Sequence, residues 1–284
     1  TSLLYKSQIE RNQIMLRLSK VQNHFMRYLQ VGGFPELALA DNDLMAQQVM
    51  REDVVDKVLK RDLPSLYNIR NATELERIFL YLCNVSSEIV SIEAITKELN
   101  GVSRTTVENY IQFLESANLI YQSWPVDMAG KKVLKARPKI YISDAAIRNA
   151  VLMDDSIMTD PTGMGKVVET AVYKHVAAFY YQFATSVGYF RGGRKNKEID
   201  VVVDYPNIKN ILIEVKYREG APIADDDAIV ELCEESSAAI VVTKTATDFG
   251  VHNTPSGKNL LRIPAFAFLY LLGNAEKHGY RGIE

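Results

Sequence analysis

The sequence predicts an α+β, multidomain protein, and three features carry that prediction. Residues 1–70 read as helix throughout, residues 71–152 run through three helices into two strands, and from Gly163 onward helix and strand alternate. These changes of pattern divide the chain into parts at 1–70, 71–152 and 153–284. Pro161, Gly163 and Gly165 make 153–165 the best linker candidate. With 284 residues and 32.0 kDa, each part has enough chain to bury a core.

In the first part, Phe25, Tyr28 and Leu29 lead to Gly32-Gly33, a helix stop, and Phe34-Pro35-Glu36 opens the next segment. A second helix spans about 44–59. Pro64 closes the block because it disfavours helix at Leu63. This part is expected to be a small helical subdomain.

The second part starts with a helix over 74–84. Ser91 caps a short helix reaching Leu99, Gly101 supplies a turn, and Ser103 caps a third helix ending near Ala117. On that third helix Val107, Tyr110, Ile111 and Leu114 follow helical spacing and form the buried stripe. Arg104, Thr105, Glu108, Asn109 and Gln112 take the opposite face. Strands at 119–124 and 139–143 follow, separated by a basic, glycine-containing loop. This order is that of a winged helix-turn-helix. It makes Ser103, Arg104, Thr105, Thr106 and Asn109 the expected base or phosphate contacts, with Lys131 and Lys132 as phosphate contacts from the wing. Glu108 opposes this reading, since it would repel phosphate from the middle of the face.

The third part is expected to hold a helix over about 166–183 and strands at 186–190, 198–204, 210–217 and 239–243, with a helix over 226–234 before the last strand. The net charge of −2, from 33 basic and 35 acidic residues, excludes a global pull on nucleic acid. Local clusters must supply it. One is Lys131, Lys132, Lys135, Arg137 and Lys139; the other is Arg191, Arg194, Lys195 and Lys197, in the turn before Asp200. The acidic run Asp225, Asp226 and Asp227 is assigned to a solvated helix start.

Two cysteines far apart, Cys83 and Cys233, suit a reducing compartment, and the amino terminus lacks a signal-peptide pattern. The longest apolar run near the end, 263–272, is interrupted by Pro264 and falls short of the roughly 20 residues that span a bilayer. A cytoplasmic protein without membrane contact is expected. His24, His175, His252 and His278 show no ligand spacing.

The chemical signal lies around Pro206-Asn207. A turn centred on Asn207 places Asp200 opposite Glu214 and Val202 opposite Leu212, while Ile199, Val201 and Val203 share the other face with Ile211, Ile213 and Val215. Opposed β-carbons lie roughly 4.5–5.5 Å apart, so two carboxylates there can converge on one cation. Lys216 points to the same face, where an ammonium can orient water or offset charge on phosphate. Mg²⁺ or Mn²⁺ suits such oxygen ligands. Glu169 is a further ligand candidate, since it sits beside an apolar stripe of Val172, Tyr173, Val176, Phe179, Tyr180 and Phe183, where an unpaired carboxylate is costly. The bland alternative is a set of exposed strand charges.

Glu169, then Glu198-Ile199-Asp200, then Glu214-Val215-Lys216 resembles the PD-(D/E)XK restriction-endonuclease-like superfamily. More widely, Gly32-Gly33-Phe34-Pro35-Glu36, the helix-turn-helix, Pro138-Lys139-Ile140-Tyr141-Ile142-Ser143-Asp144 and the carboxylate set resemble the DUF4143 region that follows an AAA-type ATPase core in many bacterial and archaeal proteins. The resemblance covers most of the chain. It implies a restriction-endonuclease-like third domain acting as a metal-dependent nuclease, with Glu169, Asp200 and Glu214 as ligands, Lys216 completing the catalytic set, DNA as substrate, and an ATPase core in cis or trans. No Gly-x-x-x-x-Gly-Lys-Ser/Thr phosphate loop occurs; Gly163-Met164-Gly165-Lys166 is too short and follows no strand. No ATP site is therefore expected in this chain, and residues 1–70 are expected to be a lid-like remnant. The competing expectation is a non-catalytic platform that binds a partner or regulates an ATPase, marked by an exposed apolar patch.

Overall fold

The computed structural model describes residues 2–126, 137–154, 156–182, 184–192, 197–205 and 209–279. The expectations placed on Lys131, Lys132, Lys135, Phe183, Arg194, Lys195, Pro206 and Asn207 lie outside the described residues. Helix α1 (Gln8–Leu18) opens on a capping box, in which Glu10 accepts from the Ser7 N–H at 2.7 Å and Ser7 Oγ accepts from the Glu10 N–H. Helix α2 (Val21–Val31) stops at Gly32, whose φ is +86°. Then come α3 (Pro35–Ala38) and α4 (Asp43–Val49), the latter capped by Asn42.

Pro64 does not close this block. Beyond α4 the backbone widens into π-helical turns at Met50–Asp56 and Val58–Asp62 and continues as α5 (Leu63–Tyr67), until Asn68 ends it in the left-handed region. Pro64 thereby falls in the first turn of an α-helical stretch, where a residue without an N–H is tolerated.

Helix α6 (Ala72–Asn84) precedes a two-residue strand β1 (Glu88–Ile89), which the sequence did not mark. Ser91 caps α7 (Ile92–Glu98) and Ser103 caps α8 (Arg104–Ser116), their hydroxyls accepting from the N–H groups of Ala94 at 3.0 Å and Thr106 at 3.1 Å. Strands β2 (Ile120–Ser123) and β3 (Lys139–Ile142) follow, then α9 (Ala145–Leu152) and α10 (Pro161–Tyr180), which begins inside the expected linker. The remainder comprises β4 (Ser186–Gly192), β5 (Lys197–Asp204), β6 (Ile211–Lys216), α11 (Ala228–Leu232), β7 (Ala238–Thr243), β8 (Gly250–Asn253), β9 (Asn259–Pro264) and α12 (Ala265–Lys277). The protein is thus α+β, helical in its first part with a mixed sheet in its last. Among the described residues, no helix is long and apolar enough to cross a membrane.

The chain forms two compact units, each assembled from separated stretches. One takes its described residues from Met26–Ser123 and Arg137–Lys174. Its antiparallel sheet has the order β1-β3-β2, with Glu88 paired to Ile140 and Tyr121 to Tyr141. Met50 and Leu59 share one core with Leu75, Ile78, Phe79 and Leu82 of α6 and with Val107, Ile111 and Leu114 of α8. Tyr67 stacks on Phe113 at 3.9 Å, so the early helices and the three-helix segment form one body.

A carboxylate fastens this unit. Asp144, 2 % exposed, caps α9 by accepting from the Ala146 N–H at 3.0 Å, and its other oxygen accepts from the Gly33 N–H at 3.1 Å and from Lys174 Nζ at 2.6 Å. A β-carbon on Gly32 would stand 2.9 Å from Asp144 Oδ1 on a residue already at positive φ. Gly32→Ala is therefore expected to destabilise the protein by about 2 kcal/mol, measured by urea unfolding.

The other unit takes its described residues from Thr1–Phe25, Trp124–Ala136 and His175–Glu284. Its six-stranded mixed sheet has the order β4-β5-β6-β7-β9-β8, parallel at β6-β7 and β7-β9 and antiparallel elsewhere. One face packs Ile199, Val202, Leu212 and Val241 against Ile229, Val230 and Cys233. At the β4 edge the Tyr189 N–H donates to the Trp124 carbonyl at 3.2 Å, and a β-carbon on Gly188 would meet that carbonyl at 2.1 Å. No side chain can yield there. Gly188→Ala is expected to cost about 3 kcal/mol by the same measurement.

Candidate functional site

The register read from the sequence holds where the two strands pair, since Val202 is partnered by Leu212 and Val201 by Ile213. One detail differs. Between Gly188 and Phe190 the β4-β5 ladder shifts register, pairing Gly188 with Val202 but Phe190 with Ile199. The extra residue on β5 is a bulge, so Ile199 moves from the expected face to that of Val202 and Leu212. Asp200 lies in the bulge. Its carboxylate replaces the next rung of the β5-β6 ladder, with Oδ2 accepting from the Val215 N–H at 2.8 Å. Continuing the register places Asp200 opposite the half-buried Glu214.

Lys216 follows on the Glu214 face. Its ammonium pairs with the Asp227 carboxylate and donates to the Pro222 carbonyl at 3.3 Å, leaving the side chain 11 % exposed. Asp227 also accepts from the Ala224 N–H at 3.0 Å. It is therefore half-buried and turned toward Lys216, unlike Asp225 and Asp226, which are exposed as expected of a solvated helix start. The parallel register extends the face: Lys216 pairs with Thr243, Glu214 with Val241, and Val241 with Arg262, whose guanidinium donates to Asp248 at 3.1 Å. Asp227, Thr243 and Arg262 were missed from sequence. The available signal was parity: Thr243 and Arg262 occupy the row positions that strand alternation assigns to the Glu214 face.

Glu169 belongs to α10 in the other unit. Its Oε1 accepts from Lys139 Nζ at 3.0 Å and from the Tyr141 hydroxyl at 2.8 Å, and the Tyr141 ring stacks on Tyr173 at 4.1 Å. Lys139 was expected in a solvent-facing basic cluster. It is a buried cation, its side chain 4 % exposed, because Glu169 neutralises it. Among the described residues, no group of three or more His, Cys, Asp or Glu side chains is gathered to hold a metal ion.

Of the expected nucleic-acid contacts, Ser103, Arg104, Thr105 and Asn109 are exposed on α8 and Thr106 is half-buried. Arg104 is spanned by two carboxylates, donating to Glu108 at 2.8 Å and Glu93 at 2.5 Å. Arg191 is exposed on β4. Lys197 is mostly buried, paired with Glu231 and donating to the Asp226 carbonyl.

Known proteins were compared with this chain. Residues 164–266 match the DUF4143 family model. The DUF4143 region thus contains Glu169, Asp200, Glu214 and Lys216 together. Residues 22–157 match a second family, DUF8612, also a domain of unknown function. An uncharacterized protein of Haemophilus influenzae is 26 % identical over 132 residues, covering 45 % of this chain and 32 % of that protein. An uncharacterized protein of Methanocaldococcus jannaschii is 24 % identical over 193 residues, covering 66 % of this chain and 39 % of the relative. The chain therefore spans well under half the length of the curated relatives it matches. No solved structure matches it.

Proposed function

We propose that the DUF4143 region is a PD-(D/E)XK restriction-endonuclease-like module that hydrolyses phosphodiesters with a divalent metal, and that the chain is the DNA-binding, nuclease-like portion of a cytoplasmic AAA-type ATPase. The observation that carries this reading is the placement of Asp200, Glu214 and Lys216 on one edge-to-edge patch of β5 and β6, with Asp200 set in a bulge. Bulges re-aim side chains, and this one turns a carboxylate toward the end of β6.

The donor set fits Mg²⁺, or Mn²⁺ in its place, since such an ion commonly takes one or two protein carboxylates and keeps several waters. Asp200 and Glu214 would hold it; Glu169 is assigned to its buried pair with Lys139. When bound, the ion lowers the pKa of a coordinated water and offsets charge on the phosphate. Lys216 supplies a cationic donor beside Glu214, suited to orienting the attacking water or to stabilising the phosphate's developing charge. Its tie to Asp227 holds that ammonium in place before substrate arrives.

The DNA-binding part of the proposal rests on α7, the Gly101 turn and α8 followed by β2 and β3, which we read as a winged helix-turn-helix with Ser103, Arg104, Thr105, Thr106 and Asn109 facing DNA. Lys131, Lys132, Arg191, Arg194, Lys195 and Lys197 complete the proposed phosphate contacts. A second reading, the non-catalytic platform, is favoured by two observations. Arg104 and Lys197 are already paired with carboxylates, and Phe34, Leu39, Leu44 and Met45 are exposed just after Gly32-Gly33.

The deciding experiment offers mixed single- and double-stranded DNA to the wild-type chain with Mg²⁺ or Mn²⁺, alongside calorimetric titration with Mn²⁺. Metal-dependent cutting is expected. Metal binding without cutting would transfer the conclusion to the platform reading.

A further inference from the structure

The unit containing α6, α9 and α10 encloses a cavity of about 370 Å³, at the lower end of the size range of small-ligand pockets. Its apolar sector is supplied by Ile142, Ala145 and Val167. Arg148 enters from α9. Its guanidinium forms an ion pair with Asp154 through Nη2 at 3.6 Å, while Nη1 is buried with no hydrogen-bond partner among the described residues. A buried donor left unsatisfied costs about 1–3 kcal/mol, more when charged, so this nitrogen is poised for an acceptor.

The other charges around the cavity restrict what that acceptor can belong to. Asp154 and Asp160 both line it, and the second cation, Lys166, is paired with Glu88. Two carboxylates near one available guanidinium give no net attraction for a doubly charged phosphate. They suit a ligand that carries one charge of each sign. Asp160 uses Oδ2 to accept from the Gly163 N–H at 2.6 Å at the start of α10, which fixes its carboxylate at the cavity wall.

We propose that this cavity binds a small aliphatic amino acid, its carboxylate on Arg148 Nη1, its ammonium toward Asp154 and Asp160, and its side chain on Ile142, Ala145 and Val167. The site lies apart from the proposed nuclease residues and stands whether or not they catalyse. Fork-shaped guanidinium recognition of a carboxylate is well matched to this geometry.

The test is thermal unfolding of the full chain titrated with L-leucine or L-valine, with N-acetyl-L-leucine, L-leucinamide and inorganic phosphate as comparisons. A saturable rise in Tm is expected for one or both amino acids, as any ligand selective for the folded state produces. The two capped analogues and phosphate should have little effect. Arg148→Gln should weaken binding at least about tenfold. Should that variant fail to fold, amide shifts of the wild-type protein provide the check: perturbations centred on Ala145, Arg148 and Val167 support the site. No saturable response to either amino acid, an equal response to phosphate, or perturbations centred elsewhere would overturn it.

Discussion

Asp200→Asn is expected to lose metal-dependent DNA cleavage by about a hundredfold or more while leaving the fold intact. The reasoning separates two jobs of one carboxylate. Asp200 accepts the Val215 N–H at 2.8 Å, and the carbonyl oxygen of an asparagine can accept the same hydrogen bond, so the bulge and the end of the β5-β6 ladder survive. The negative charge does not survive, and with it goes half of the proposed anionic ligand pair. Loss of a metal's contribution to transition-state charge amounts to several kcal/mol, and each 1.36 kcal/mol is about tenfold in rate. Single-turnover cleavage and Mn²⁺ titration measure the two quantities separately. A variant that cuts as fast as wild type would remove Asp200 from the site.

The second large effect concerns stability. Lys139→Met is expected to destabilise the protein by about 3–5 kcal/mol in urea unfolding, because it strands the Glu169 carboxylate beside Tyr141 with its cation gone. Glu169→Gln should cost a similar amount for the mirror reason. The double variant Lys139→Met, Glu169→Leu should recover most of the loss, since an apolar pair of similar volume replaces an ion pair rather than half of one. Single variants within about 0.5 kcal/mol of wild type would show that the pair carries no structural weight. Glu169→Gln also bears on the resemblance: weakened Mn²⁺ binding at unchanged stability would restore Glu169 to the metal.

Much of this architecture was legible because its signals are local. Ser91 and Ser103 are caps by virtue of their own hydroxyls, Gly101 turns the chain between the helices they start, and alternation along β5 and β6 sets Val202 against Leu212. The bulge is different. An extra residue in one strand leaves no mark in composition, so Ile199 was assigned the wrong face while Val201 and Val203 were not. Lys139 misled through its neighbours. It follows several basic residues in sequence, yet its partner Glu169 is thirty positions further on, a contact no local pattern encodes. Pro64 was read by the ordinary rule for α-helices, and the rule failed because π-helical turns precede it. Strands β8 and β9 were passed over for a simpler reason: both are short, and residues of the Asn253–Asn259 stretch between them suggested loop rather than a hairpin. Of the candidate site, spacing alone revealed Asp200, Glu214 and Lys216, but not Asp227, whose approach to Lys216 depends on the path of the intervening loop.

The tie between Gly33 and Asp144 has a consequence for synthesis. These residues are separated by 111 positions, so the helices between residues 26 and 67 emerge from a ribosome well before the carboxylate that fastens them. During that interval Leu29, Met50 and Leu59, all nearly inaccessible in the finished protein, lack much of the surface that covers them. The nascent chain is therefore most vulnerable to aggregation and proteolysis at its earliest helices, and release from that state waits on α10, which delivers Lys174 to Asp144 and Glu169 to Lys139. Ending translation at residue 152, where the change of pattern invites a boundary, would leave the Lys139 ammonium without its carboxylate and the early helices without their clasp.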